Sequence, residues 1–339
     1  MAGKKTAKIL PTDTKERFDA AVRAAADLLR KGETVALPTE TVYGLAANAY
    51  NPAAVARIFE IKGRPSHNPI IVHVASLELA RECAAAWTES AAKVARAFWP
   101  GPLTIVLPRS GKIPDNVTAS GSTVGIRWPS HPFTQAVIQA CGFPLAAPSA
   151  NPSNFLSPTN PRHVFAGLGD RIPLIVDGGQ CQVGIESTVL DLSSVCPRVL
   201  RPGMIHEEAL ISVLGVLGGP ESRGGAELRS PGLLPKHYSP RARLLIHSWR
   251  DEEELRNFCA RVGQPLAGIN ILAHTKIPSA AGFGRVSVIP HDPEAFARAL
   301  YAELHACDEA GALAIVVEQP PETPEWTGIS DRLKRAAAA

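Results

Sequence analysis

The sequence predicts a mixed α/β protein built as two domains. Short apolar runs suited to buried strands alternate with segments whose apolar residues recur at helical spacing. That alternation stops at 215–241, a stretch rich in Gly, Pro and Ser with no periodicity, and resumes beyond it. The length, 339 residues, suits about two domains.

The elements follow in order. Residues 13–31 read as a helix: Asp13 is placed to cap it, Glu16 holds the capping-box position and Gly32 ends it. Phe18, Val22, Ala25 and Leu29 give that helix one apolar face. A short strand is predicted at 34–37. Asn51-Pro52 opens a second helix, with Pro at the first helical position. Strands are predicted at 70–74, 103–107, 123–127, 145–147, 174–176, 188–192 and 199–201, alternating with helical patterns at 89–98, 131–140 and 206–214. Beyond the break, 243–246, 266–272, 286–289 and 313–317 read as strands, and 252–261, 293–306 and 330–338 as helices. That alternation predicts a small parallel sheet.

Composition narrows the functional classes. Hydrophobic residues make up 45% and charged residues 20%, the balance of a soluble globular chain. The 35 Lys+Arg exceed the 32 Asp+Glu by only +3, too little to argue for nucleic acid. A local basic cluster for a small anion remains open. The six cysteines show no Cys-x-x-Cys spacing, which disfavours a zinc ribbon or a dithiol redox pair. The polar start and the lack of any run near 18 apolar residues disfavour secretion and membrane spanning, so free thiols in a reducing cytoplasm are expected. The 30 prolines are nearly twice the usual share of about 5%, a sign of stiff, shaped loops.

No Walker A sequence, dinucleotide fingerprint, His-Glu-x-x-His or Gly-x-Ser-x-Gly elbow is present. Polar groups gather instead at strand ends and loops. Pro38-Thr-Glu-Thr-Val-Tyr-Gly-Leu45 supplies three hydroxyls beside a glycine that permits close approach. Lys62-Gly-Arg-Pro-Ser-His-Asn-Pro69 sets two cations on a shaped loop, able to grip a phosphate or simply to favour a helix C-terminus. His73 lies inside an apolar strand, more often a core position than a ligand contact. Arg127 ends the apolar strand Thr123-Val-Gly-Ile-Arg127, where α/β sheets present ligand contacts. Ala147-Pro-Ser-Ala-Asn-Pro152, Ser157-Pro-Thr159, Gly184-Ile-Glu-Ser-Thr188 and Arg201-Pro-Gly203 complete a basic, hydroxyl-rich set without a metal-ligand cluster.

Six motifs, in order, resemble one family. Pro38-Thr-Glu-Thr-Val-Tyr-Gly-Leu45, Lys62-Gly-Arg64-Pro65, Asn68-Pro69, Trp99-Pro-Gly-Pro-Leu-Thr104, Pro148-Ser-Ala-Asn151 and Glu186-Ser-Thr188 look like the YrdC-like threonylcarbamoyl-adenylate synthases. Lys236-His-Tyr-Ser-Pro240 and the small α/β tail resemble the family's long, two-domain form. The resemblance implies a YrdC-like twisted mixed sheet with helices over 10–210. It further implies a linker at 211–241 that closes over the site like a lid, then a smaller Rossmann-like parallel-sheet domain at 242–337.

The implied reaction converts L-threonine, bicarbonate or CO2, and ATP to threonylcarbamoyl-AMP and pyrophosphate, for threonylcarbamoyladenosine modification of tRNA. Family threonine contacts fall on Thr41, His73, Arg127, the Ala147 backbone and Ser187. Nucleotide contacts fall on Arg64, Asn68, Thr123, Ser149, Ser157, Arg201 and Tyr238, with Lys62 and Asn151 in the same hallmark pairs. Lys62, Arg64, Ser149 and Asn151 are the implied catalytic set. Mg2+ is expected to arrive with ATP, with no metal ligands from protein side chains. A partner transferase complex would place the group on tRNA, so little or no direct tRNA binding is expected of this cytoplasmic chain, and no membrane contact. The competing readings are a YrdC-like module that binds RNA or nucleotide without turnover, and a carbamoyl-transfer domain like those of hydrogenase-maturation proteins.

Overall fold

The computed structural model describes residues 6–219 and 238–338, which divide into two compact units. One comprises 6–153 and 158–219, the other 154–157 and 238–338. Most of the linker segment anticipated at 211–241, with Lys236 and His237, lies outside the described residues.

The first unit opens with strand β1 (Lys8–Pro11) and helix α1 (Lys15–Arg30). The cap of α1 is Thr14, whose hydroxyl accepts from the Arg17 amide at 3.3 Å, and not the expected Asp13. Asp13 instead pairs its carboxylate with the Arg17 guanidinium at 2.8 Å. Strands β2 (Val35–Leu37) and β3 (Gly44–Asn48) follow, then α2 (Pro52–Lys62). The Asn51 side chain accepts from the amides of Ala53 and Ala54, and Gly63 closes α2 at φ +60, where a side chain would be strained. The chain continues through β4 (Val72–His73), α3 (Leu77–Cys83), α4 (Glu89–Phe98), β5 (Leu103–Pro108) and β6 (Thr123–Arg127). It finishes with α5 (Pro132–Cys141), β7 (Leu145–Ala146), α6 (Pro161–Leu168), β8 (Leu174–Asp177), β9 (Thr188–Asp191), β10 (Arg198–Arg201) and α7 (Glu207–Leu214).

These strands form one ten-stranded mixed sheet in the order β1-β8-β2-β3-β7-β4-β6-β5-β9-β10. Parallel pairs such as β4–β6 and β5–β9 sit beside antiparallel pairs such as β5–β6 and β4–β7. Alternation assigns Val72, Leu103, Ile105, Leu107, Val124, Ile126 and Leu190 to one face, and all are core residues packed under helices. The opposite face of β4, β6 and β10 carries His73, Thr123, Arg127 and Arg201.

The second unit is a four-stranded, wholly parallel sheet ordered β11-β14-β12-β13, as expected of an α/β tail. Its elements are β11 (Arg243–His247), α8 (Glu252–Arg261), β12 (Ile269–Ala273), β13 (Arg285–Val288), α9 (Pro293–Glu309), β14 (Ala314–Glu318) and α10 (Thr327–Ala337). The expected strand at 266–272 starts later, because Leu266–Gly268 is a 3₁₀ turn. Trp249, Leu255, Cys259, Ile271 and Val316 pack into this unit's own core. None of the six cysteines is bridged. Among the described residues no helix is long and apolar enough to cross a membrane.

Candidate active site

Strand registers build the site. His73 pairs with Arg127, Arg127 with Thr104, Thr104 with Val189, and Val189 with Arg201. Directly paired residues point to the same face of a sheet. One row across five strands therefore presents imidazole, guanidinium, hydroxyl, isopropyl and guanidinium on one face. Arg201 joins the row through an irregularity: the register slips between Val199 and Arg201, which brings Arg201 opposite Val189 in place of Leu200. Next to that row, the pair Val106 and Gly125 lines a small depression of about 10 Å³ together with Thr123, Ile71 and Val189. A Cβ on Gly125 would lie 3.2 Å from Thr104 Cγ2, so glycine keeps this floor low.

Arg127 meets Glu40 and Thr41 at the start of that row. Its Nη1 donates to Thr41 Oγ1 at 2.8 Å, and its Nε to the Gly101 carbonyl at 3.4 Å. Its Nη2 lies 2.8 Å from Glu40 Oε1. Both side chains are buried, 5% and 8% exposed. Thr41 Oγ1 also shares a 2.9 Å bond with Thr39 Oγ1. Burial, and secondarily the Arg127 charge, pushes the His73 imidazole down to about 3, so it is neutral at physiological pH. Burial also lowers His131, against the pull of Glu40.

Further along the row, Ser187 is held between Thr104 and Arg201. Its Oγ lies 2.8 Å from Thr104 Oγ1, while Arg201 Nη2 donates to the Ser187 carbonyl at 2.9 Å and to its hydroxyl at 3.2 Å. Gly203 permits this packing, since a Cβ there would fall 2.5 Å from the Thr188 amide nitrogen. The Ala147 amide donates to the Ile71 carbonyl at 3.1 Å, which ties the following loop to the sheet.

That loop is organised by Lys62. Its ammonium donates to the Ser149 carbonyl at 2.6 Å, the Asn151 carbonyl and the Asn151 side-chain oxygen at 3.4 Å. Burial, then the nearby Arg64 charge, lowers its pKa well below the usual lysine value. The sequence reading aims Lys62 at a phosphate; the structure turns its three N–H bonds onto the Ser149–Asn151 loop. Arg64 is also drawn inward, donating from Nε to the Asn68 carbonyl at 3.2 Å and from Nη2 to the Pro69 carbonyl at 2.7 Å. The Asn68 side chain is 1% exposed and has no hydrogen-bond partner for either polar atom.

The first unit thus gathers Thr41, Lys62, Arg64, Asn68, His73, Thr123, Arg127, Ala147, Ser149, Asn151, Ser187 and Arg201 on one sheet face and its bordering loops. Ser157 and Tyr238 belong to the second unit. There the Ser157 carbonyl lies 3.2 Å from His305 Nε2, and Asn154 accepts from the Ser239 amide at 2.9 Å. Tyr238 is 1% exposed at φ +62, its ring 6.1 Å from Tyr301 and 5.5 Å under the Arg332 guanidinium.

Sequence reasoning credited the hydroxyls around Glu40 and passed over the carboxylate. A signal was present: Glu40 is the only charged residue between Glu33 and Arg57, and Arg127 the only one between Asp115 and Arg162. Isolated charges in apolar stretches are seldom buried without partners.

A family model described as "Telomere recombination" matches residues 27–203, and one described as "Threonylcarbamoyl-AMP synthase, C-terminal domain" matches 205–338. The chain is 39% identical to a threonylcarbamoyl-AMP synthase of Bacillus subtilis, over 96% of this chain and 95% of that one. It is 36% identical to the Pyrococcus abyssi protein of the same name, over 93% and 94%. A crystal structure of P. abyssi Sua5 complexed with L-threonine superposes with a TM-score of 0.87 at 34% identity, covering 97% of this chain and 96% of that chain.

Proposed function

The chain belongs to the threonylcarbamoyl-AMP synthase family, and from that premise we propose that it joins L-threonine, bicarbonate or CO2, and ATP into threonylcarbamoyl-AMP and pyrophosphate. The observation that carries this reading is the cross-strand row, whose His73 and Arg127 stand with Thr41 and Ser187 beside an apolar floor and Arg201.

Arg127 is suited to the threonine carboxylate, since its fork geometry matches a planar anion. The Thr41 and Ser187 hydroxyls and the Ala147 backbone offer partners to the remaining polar groups. The floor of Ile71, Val106, Gly125 and Val189 suits the flat face of adenine, with Thr123 at its rim. The phosphate oxygens are assigned to Arg64, Asn68, Ser149, Asn151 and Arg201, as the family resemblance implies. Lys62 acts through the loop it holds. Ser157 and Tyr238, which belong to the second unit, keep the nucleotide roles that the resemblance implies.

Chemically, the threonine ammonium first gives a proton to solvent, and the free amine adds to CO2 with loss of a second proton to form a carbamate, whose oxygen attacks the α-phosphorus of ATP in line as pyrophosphate leaves. This nucleotidyl transfer demands positioning and charge neutralisation, and no covalent protein nucleophile. The neutral His73 adds no second positive charge beside Arg127. Mg2+ would come with ATP, with no ligand from this chain's side chains, and would supply neutralisation of phosphate charge. Glu40, in the loop after β2, is paired with Arg127. The product would pass to a separate transferase complex acting on tRNA. A net charge of +3 supports little direct tRNA binding by this chain.

The test is pyrophosphate release from ATP by purified protein, with threonine and bicarbonate omitted in turn. Release that requires both is the expected result. Release stimulated by neither would overturn the synthase reading.

A further inference from the structure

Glu40 and Arg127 are buried in contact, yet their hydrogen-bonding capacity is not used on each other. Arg127 Nη2 lies 2.8 Å from Glu40 Oε1, but neither Nη2 nor either carboxylate oxygen of Glu40 makes an aligned hydrogen bond. The Glu40 backbone carbonyl accepts from the Val183 amide at 2.7 Å, so the peptide is held while the carboxylate is left available. Buried polar groups are almost always hydrogen-bonded, and a carboxylate 6% exposed with two unused oxygens is a costly exception. Opposite charges with spare capacity on both sides fit an occupant that is itself dipolar.

We infer that Glu40 receives the α-ammonium of the amino-acid substrate while Arg127 receives its carboxylate. This rests on the proposed reading of the site and assigns Glu40 a specificity role within it. The electrostatics are simple. The Glu40–Arg127 pair is neutral, and a zwitterion adds no net charge, so four charges alternate in a closed set. A ligand with only the carboxylate would leave one uncompensated negative charge in a buried site. A ligand with only the ammonium would leave one positive charge. Either imbalance is strongly unfavourable where water is excluded. The pair thus selects α-amino acids over hydroxy acids and amino alcohols before the hydroxyl-binding groups act.

The experiment is calorimetric titration of the full chain with L-threonine, 3-hydroxybutyrate (which lacks the amine) and threoninol (which lacks the carboxylate). For the unmodified protein, both analogues are expected to bind at least about hundredfold more weakly than threonine. In Glu40→Gln, threonine binding should fall by at least about thirtyfold, whereas 3-hydroxybutyrate binding should hold or rise, because Arg127 and the analogue then form a neutral pair. A carboxylate that merely steadies Arg127 predicts that both ligands weaken together, and that outcome overturns the inference. Should Glu40→Gln lose its cooperative unfolding transition, the analogue series on the unmodified protein decides: 3-hydroxybutyrate binding within about threefold of threonine overturns it. The two readings fail separately. Threonine-selective binding without pyrophosphate release removes the synthase reading and keeps the amino-acid site. Threonine-dependent release without amine discrimination keeps the synthase reading and removes Glu40.

Discussion

Glu40 in the first unit and Glu318 in the second are both buried, at 6% and 4% exposure, and their surroundings differ completely. Glu318 ends a parallel strand and accepts from the amides of His274, Thr275 and Lys276 at 2.7, 2.9 and 3.2 Å, and from the Thr275 hydroxyl. Burial alone would raise its pKa. The Thr275 hydroxyl and the three amides outweigh burial and hold the carboxyl below its usual value. Glu40 has one cation beside it and no aligned donor. The Glu318 arrangement fixes a loop; the Glu40 arrangement leaves both carboxylate oxygens without an aligned donor. A buried carboxylate is therefore read from its hydrogen bonds, because burial by itself does not separate structural from functional use.

The largest test of that contrast is Arg64→Ala, which should cut threonine- and bicarbonate-dependent pyrophosphate release by about 10²–10³-fold, since positioned cations carry much of phosphoryl-transfer catalysis. Near-normal turnover would remove Arg64 from the mechanism. Next is Glu318→Ala, expected to destabilise the second unit by about 2–3 kcal/mol in denaturant unfolding, because amides that now donate to a carboxylate lose it. A change under about 0.5 kcal/mol would place Glu318 outside the structural class.

Acid stability comes third. His73 has a folded pKa of about 3 against an ordinary 6.5, so the unfolded chain binds the extra proton between those values. Stability should fall as pH drops through that window, by at most about 1.4 kcal/mol per pH unit, and His73→Gln should flatten the slope. Glu318 is depressed below its ordinary 4.5, so its contribution is present above that pH and lost only on further acidification. An unchanged slope between pH 6 and 5 in His73→Gln would mean the imidazole is not held neutral. The smallest expected effect is on stability in the paired change Glu40→Gln with Arg127→Met. Replacing a buried ion pair by neutral groups of similar size should alter unfolding by no more than about 1 kcal/mol, while threonine binding is abolished. A loss of several kcal/mol would make this pair as structural as Glu318.

Much of the frame was legible in local sequence. Asn51-Pro52 announces α2 because an Asx cap and a first-turn proline satisfy helix-end geometry with neighbouring residues alone. The all-parallel second sheet follows from strands alternating with helices. The family motifs were legible for the same reason: each is a short, contiguous string. Strand β3 escaped notice because Gly44-Leu-Ala-Ala-Asn48 has no β-branched or aromatic side chain. It is a strand because β2 and β7 pair with both its edges.

By itself, then, the sequence determined the start of α2, which strand faces are apolar, and which loops concentrate hydroxyls and cations, since those depend on neighbours within a few residues. Only the tertiary structure decided which polar groups meet. It carried Glu40 to Arg127, turned Lys62 onto Ser149 and Asn151, and slipped the β10 register to set Arg201 on the site face. Such pairings join residues about 90 positions apart or depend on one slipped register, and ion pairs and hydrogen bonds act over a few ångströms of space, a distance that local chain preference does not encode.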